Sequence, residues 1–393
     1  MTTAWVVNAT HVRSGAHRRS RQRAALAAAA LAAALSLTAC GSSSHAITTQ
    51  AALRPIGAGL RGPAGLKATV YASGLPTVAT LTFDSRGRLW AAAAGLQDHR
   101  RDGVYLIARP GAKPERMIAG LDDPLGLLWE DGTLYVASVG RVDAFSGLRG
   151  GRFTRDREIV VGPVAHAENN DLVAAAGGRL LLGITATCDH CTPKSPYSGS
   201  IVSFRTDGRG LRLYAARIRA PVGLTYYPGT TDLFVTMNQR DDLGARTPGD
   251  WLAVVRQGQS WGFPQCYGQG GAACAGVPKP VAALDPHAAV GSVVIVAATP
   301  SSRESGSAAG SPTAVATSKL GPAVGAPTAL VAQWAVPKVQ KVALTRVGST
   351  YRGSVTPFLT GLQNPLALVL APDHSLLVGD WGTGRIYRIA AAS

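Results

Sequence analysis

Apolar residues along most of this chain come in short alternating runs, separated by turns that contain Gly or Asp. From Gly74-Leu75-Pro76 an apolar run reaches Phe83, Asp84-Ser85-Arg86-Gly87 follows, and Leu89-Trp90-Ala91 resumes the run. The same order recurs as Gly120-Leu121-Asp122-Asp123-Pro124, Leu125 to Trp129, Asp131-Gly132 and Leu134-Tyr135-Val136-Ala137. Each unit reads as strand, tight turn, strand, which is the signature of a hairpin. The theme returns at Leu172 to Leu182, Val222 to Val235, Ala329 to Ala332 and Gly361 to Val378. With Trp90, Tyr135, Leu181, Phe234, Leu330 and Leu377 as equivalent points, the steps are 45, 46, 53, 96 and 47 residues.

A unit of this length matches one four-stranded propeller blade. One blade cannot bury both of its faces. Six blades around an axis stack their apolar faces on one another and leave only short edges exposed. The expected fold is therefore all-β, a six-bladed β-propeller of four-stranded blades over residues 65–391. A pair of β-sandwiches is the rival architecture. The Gly and Pro content and the period-2 patterning exclude a long helical array. The long step predicts an insertion at about 251–325. Its start, Trp251 to Pro280, is rich in aromatic residues, Gly and Cys and reads as a cross-linked loop. Its end, Ser301 to Gly325, is low in complexity and reads as a mobile loop.

The first forty residues carry a different pattern. Arg13, Arg18, Arg19, Arg21 and Arg23 precede an Ala/Leu run from Ala24 to Leu37 that is too short to span a bilayer. The run ends in Leu37-Thr38-Ala39-Cys40-Gly41, which resembles a bacterial lipobox. Residues 1–39 are expected to be a signal peptide and residues 40–64 a tether. The protein is then extracytoplasmic and lipid-anchored to the membrane through Cys40, with acyl chains contributing about 0.8 kcal/mol per buried CH2.

The formal net charge of +16 includes those five arginines. The remaining arginines are scattered and not interleaved with aromatic residues, so no nucleic-acid partner is expected. Outside the cytoplasm, the close pairs Cys188-Cys191 and Cys266-Cys274 are expected to form disulfides. The run Cys188-Asp189-His190-Cys191 keeps a zinc site as the alternative.

Three stretches concentrate polar chemistry: Val164 to Asp171 around His166, Arg217 to Leu224 around Arg219, and Asn238-Gln239-Arg240-Asp241-Asp242-Leu243-Gly244 running on through Asp250-Trp251 to Trp261-Gly262-Phe263-Pro264-Gln265-Cys266-Tyr267-Gly268. These stretches resemble the soluble quinoprotein glucose and sorbosone dehydrogenases, six-bladed propellers that use pyrroloquinoline quinone (PQQ). Ile218-Arg219-Ala220-Pro221-Val222-Gly223-Leu224 is similar to that family's arginine motif. The Asn238 to Gly268 stretch carries the most specific likeness.

The resemblance implies oxidation of a sugar or a related aldehyde or alcohol, with hydride passing to PQQ. It makes His166 the general base, suited by a pKa near neutrality. It makes Arg219 the group that stabilises charge on the quinone oxygens. Asn238 and Lys338 complete the cofactor-binding set it implies, and Asp241 and Asp242 become ligands of calcium. The chain also departs from the family. Ala220 stands where an asparagine follows the arginine, and Gly361 to Ala367 lacks the paired arginines that grip the quinone carboxylates. Those losses weaken quinone binding or demand other donors. They keep a second reading open, a non-catalytic binding propeller that has lost its cofactor. A hydrolytic propeller is a third reading, with Asp171, Asn238 and Asp241 as its polar set.

Overall fold

A computed structural model of the protein describes residues 52–161, 164–268, 270–297, 320, 324–325 and 327–392. The proposed signal segment and Cys40 lie outside the described residues. Among the described residues, the regular elements are strands and three single-turn 3-10 helices. No helix among them is long and apolar enough to cross a membrane.

The chain begins with a hairpin, β1 (Arg54–Gly57) and β2 (Leu60–Gly62), followed by β3 (Leu66–Ala72). Blade 1 is β4 (Thr80–Phe83), β5 (Leu89–Ala93), β6 (Gly103–Ile107) and β7 (Glu115–Ala119). Blade 2 is β8 (Gly126–Glu130), β9 (Thr133–Ser138), β10 (Arg141–Ser146) and β11 (Arg155–Val161). Blade 3 is β12 (Asn169–Ala175), β13 (Arg179–Ile184), β14 (Ser200–Arg205) and β15 (Arg212–Ala216). Blade 4 is β16 (Ala220–Tyr226), β17 (Leu233–Asn238), β18 (Gly249–Val255) and β19 (Ala282–Pro286). Blade 5 is β20 (Val290–Val296), β21 (Thr328–Gln333), β22 (Lys338–Val347) and β23 (Thr350–Leu359). Blade 6 is β24 (Pro365–Leu370), β25 (Leu376–Asp380) and β26 (Arg385–Ala391), completed by β3. Each blade is an antiparallel meander, and the last closes the ring when β3 pairs with β26 from Leu66↔Ala391 to Ala72↔Ile386.

The apolar alternation does the packing. Successive residues of a strand face opposite sides of its sheet. The six equivalent positions read from the repeat all face the blade that follows. Trp90 packs with Leu134 and Val136, Tyr135 with Leu180 and Leu182, and Leu181 with Leu233 and Val235. Phe234 packs with Ala329 and Val331, Leu330 with Leu376 and Val378, and Leu377 with Ala91 and Ala93. The core is thus six inter-blade layers. At the axis the inner strands come close enough to exclude side chains. A Cβ on Gly126 would lie 2.0 Å from the Asn170 carbonyl oxygen, and one on Gly291 2.4 Å from that of Leu366. What remains on the axis between Asn170, Asp171, Val222 and Ser292 is a cavity of about 20 Å³, room for one water.

Two sequence boundaries change. The 40–64 stretch is not all tether, because β1 and β2 fold onto the propeller. Ile56 and Leu60 are buried in the layer between blades 5 and 6, and Arg61 bonds reciprocally with Thr360 at 3.0 Å. The stretch at 251–325 is not one insertion, because it contains the blade strands β18, β19 and β20. The extra chain is divided between the disulfide loop before β19 and the segment after β20. The expected mobile loop falls largely outside the described residues, but Leu320 and Val324 near its end are fully buried.

The meander places the start of every inner strand beside the end of the second strand, as in Asn169↔Ile184, Ala220↔Asn238 and Pro365↔Asp380. The loops that carry His166, Arg219, the 239–248 segment and Lys338 therefore share one rim of the ring.

Candidate functional site

Buried carboxylates organise this rim. Asp102, just before β6, accepts hydrogen bonds from Gly95 N (2.6 Å) and Asp123 N (2.9 Å) and so ties blade 1 to blade 2. Asp250, in the corresponding place in blade 4, accepts from Gln239 N (2.7 Å) and Val290 N (3.3 Å) and ties blade 4 to blade 5. Asp380 accepts from Gln363 N and Asn364 N at the start of blade 6. The Gly361 to Ala367 stretch that opens this blade carries no arginine. The backbone there is occupied with an internal carboxylate, and the Asn364 amide donates to the Trp334 carbonyl at 3.0 Å.

Arg219 leads into the inner strand of blade 4 and is 6% exposed. Its Nε donates to the Asp189 carbonyl oxygen at 3.1 Å, and its Nη2 pairs with the Asp189 carboxylate. Asp189 lies in the blade 3 loop closed by Cys188 and Cys191. The same carboxylate accepts from the backbone N–H groups of Asp241 and Asp242 at 3.1 Å. Arg240 grips Asp242 through two bonds of 2.6 Å, and His190 approaches Asp242 at 3.0 Å. His287 reaches Asp241 at 3.1 Å. One network thus joins loops from blades 3, 4 and 5. Asp242 is held far below the usual carboxylate range, first by its hydrogen bonds from Arg240. With Arg219 and Arg240 against it, the Asp189–His190–Asp242 group is electrostatically a set of ion pairs. Asp241 and Asp242 spend their carboxylates on His287, His190 and Arg240.

A second set of carboxyl groups is pushed the other way. Glu168, beside the His166 turn, is raised to about 8, chiefly by burial and then by the Asp123 charge, with Arg219 opposing. Part of the residue remains accessible, but its carboxyl group is enclosed by protein. Burial raises Asp250 and, on the axis, Asp171 to about 7, although each accepts backbone hydrogen bonds. Asp123 is raised to about 6, and its Oδ1 accepts from Leu96 N at 2.7 Å. A rim with several carboxyls near neutrality can accept or donate protons at physiological pH.

The sequence-predicted residues fall as follows. His166 is exposed at a left-handed turn (φ 62°), held by Ala167 N to the Val164 carbonyl and by Gly140 N to the Ala167 carbonyl. It stands on the same rim as Arg219, one blade away. Asn238 is 3% exposed at the end of β17, and its Oδ1 has no hydrogen-bond partner. By strand alternation its side chain shares the face of Phe234 and Thr236, toward blade 5. Lys338 opens β22 and pairs with Asp285 at 3.0 Å. Cys188–Cys191 and Cys266–Cys274 are disulfides with Cα separations of 5.8 and 4.8 Å, which removes the zinc alternative because the sulfurs are bonded to each other. The bridges suit an oxidising, extracytoplasmic compartment. Sequence reasoning missed Asp189, Glu168, Asp123 and Asp250 as site groups. Asp189 carried a signal, an acid inside a Cys-x-x-Cys turn. The others acquire their character only from what covers them.

No protein-family model matches the chain, and no curated protein matches it. Solved structures do. The holo form of the PQQ domain of a pyranose dehydrogenase from Coprinopsis cinerea aligns with TM-score 0.62 at 14% identity, over 84% of this chain and 97% of that one. The PQQ-bound aldose sugar dehydrogenase from Streptomyces coelicolor aligns with TM-score 0.61 at 16% identity, over 84% and 100%. A calcium structure of a Trichoderma reesei carbohydrate-active enzyme aligns with TM-score 0.63 at 15% identity, over 84% and 96%. What this chain shares with these three structures is the fold.

Proposed function

We propose that the protein is an exported, lipid-tethered dehydrogenase that oxidises a sugar or a related aldehyde or alcohol with PQQ. The observation that carries this reading is the partnerless Oδ1 of Asn238, buried on the rim that also bears Arg219, Lys338 and His166. A buried amide oxygen without a donor is costly, and a ligand N–H or O–H at this position relieves it. The donor types on this rim suit a quinone. Arg219 would face the quinone oxygens, Asn238 the pyrrole N–H, and Lys338 a carboxylate. When bound, the quinone supplies a carbonyl carbon that accepts hydride.

This chain's own part is proton handling and orientation. His166, exposed on a turn, would take the proton of the substrate hydroxyl as the C–H bond is broken. Asp189 fixes the Arg219 guanidinium and both loops beside it, so charge stabilisation is organised before substrate arrives. Asp241 and Asp242 would hold calcium only by giving up His287, His190 and Arg240.

A second reading has specific support. Arg219, Arg240 and Lys338 each already hold a carboxylate, and Gln363 and Asn364 stand at the start of blade 6 without an arginine. A tricarboxylate would compete with Asp189 and Asp285 for these cations. On this reading the propeller binds its ligand without a cofactor.

Titrating the purified protein with PQQ and calcium, by calorimetry and absorbance, separates the two. Binding together with dye reduction by a panel of aldoses and aldehydes supports the dehydrogenase, and failure to bind sinks it. His166→Ala should then abolish turnover at nearly unchanged cofactor affinity. Unchanged turnover would remove His166 from the mechanism.

A further inference from the structure

Away from the rim, between the outer strands β19 and β23 and beneath the Cys266–Cys274 loop, lies a cavity of about 600 Å³. That is the size of a small-molecule site. Its chemistry is unlike the rim's. Val277, Pro278, Pro280 and Val281 give apolar walls, and Lys279 and Arg352 are the charged groups on its lining. Both are exposed, no carboxylate lines the cavity, and neither cation forms an ion pair among the described residues. Trp251 forms part of the wall at 3% exposure.

We infer that this cavity binds an organic carboxylate with an aromatic body, seated against Trp251 and the prolines with its acid group between Lys279 and Arg352. Two cations without a counter-charge favour an anion. Apolar walls favour a ring over an inorganic ion. Both cysteines of the disulfide line the cavity, so one wall is covalently braced and less freedom is lost on binding. None of His166, Arg219, Asn238 and Lys338 lines it.

The test is calorimetry on the full chain at low salt with 2-naphthoate, its neutral isostere 2-naphthamide, and sodium sulfate as probes. Naphthoate should bind saturably at one site. The amide should bind about tenfold or more weakly, because a charge-assisted contact is lost, and sulfate should be as weak for want of the walls. The double variant Lys279→Gln/Arg352→Gln, at exposed positions, should weaken naphthoate by at least about tenfold, and Trp251→Phe should weaken it less. Absent saturation at millimolar naphthoate, sulfate binding as tightly as naphthoate, or a double variant with wild-type affinity would each overturn the inference. Dye reduction, where present, should be unchanged in the double variant.

Discussion

Raising the pH from 5 to 8 should destabilise the propeller, and Asp250→Asn should remove a defined share of that loss. Asp250 is 2% exposed, and burial sets its folded pKa at about 7 against an ordinary 3.8. A carboxyl with a raised folded pKa holds its proton in the folded state while the unfolded chain has released it. Stability therefore falls as pH rises from the unfolded pKa toward the folded one. For these two pKa values, linkage gives a loss on the order of 2–3 kcal/mol between pH 5 and 8. Asp171, Glu168 and Asp123 act in the same sense. So does His99, whose pKa is raised by its hydrogen bond to Asp102, since its contribution is lost as pH climbs through the folded value. The carboxylates held low, Asp242, Asp373 and Asp285, lose their contribution only below this window. Asparagine at 250 offers one oxygen and an NH2 group where the carboxyl group offers two oxygens, to Gln239 N and Val290 N. The variant should thus be less stable than wild type at pH 5, by about 1–3 kcal/mol for an unsatisfied N–H. The gap should close or reverse by pH 8. Urea titrations followed by tryptophan fluorescence at pH 5, 6, 7 and 8 give both curves. Parallel curves, or wild-type stability that is flat or rising across the range, would refute the assignment of a buried, protonated Asp250.

Glu168→Gln should erase any limb near pH 8 in a pH–rate or pH–binding profile while keeping most affinity at pH 6, and a limb that persists assigns it to another group. On the dehydrogenase reading, Asp189→Asn should loosen the 239–248 segment and weaken ligand binding at the rim about tenfold or more, because Arg219 is no longer held in place, whereas on the second reading it should tighten binding of an anion; protection of the 239–244 amides from hydrogen exchange reads the loosening directly, and unchanged protection counts against the network. Replacing Cys266 and Cys274 by Ser should lower stability by roughly 2–3 kcal/mol, the chain-entropy value for a short loop, and the loss should vanish when wild type is measured under reducing conditions. An equal gap under both conditions would mean that the serines disturb packing instead.

The architecture was legible because a blade is a local object. Alternation, tight turns and a step near 46 residues depend on neighbours in sequence, and Trp90, Tyr135, Leu181, Phe234, Leu330 and Leu377 all turned out to face the following blade. The two close cysteine pairs were legible for the same reason. Less was visible where distant segments meet. That β3 completes blade 6 depends on Leu66 to Ala72 finding a partner at the far end of the chain. The hairpin at 54–62 looked like tether because its burial comes entirely from blades 5 and 6.

The site divides along the same line. By itself the sequence determined the residue types on the rim, His166, Arg219, Asn238 and Asp241-Asp242, since they sit at fixed offsets from strands whose period is local. Only the tertiary structure decided what those residues touch. It set Asp189 from another blade against Arg219, spent Asp242 on Arg240 and His190, and enclosed Glu168 and Asp250 until their carboxyls moved toward neutral pKa. Charge pairing and desolvation depend on distance in space, and closing six blades around an axis sets those distances.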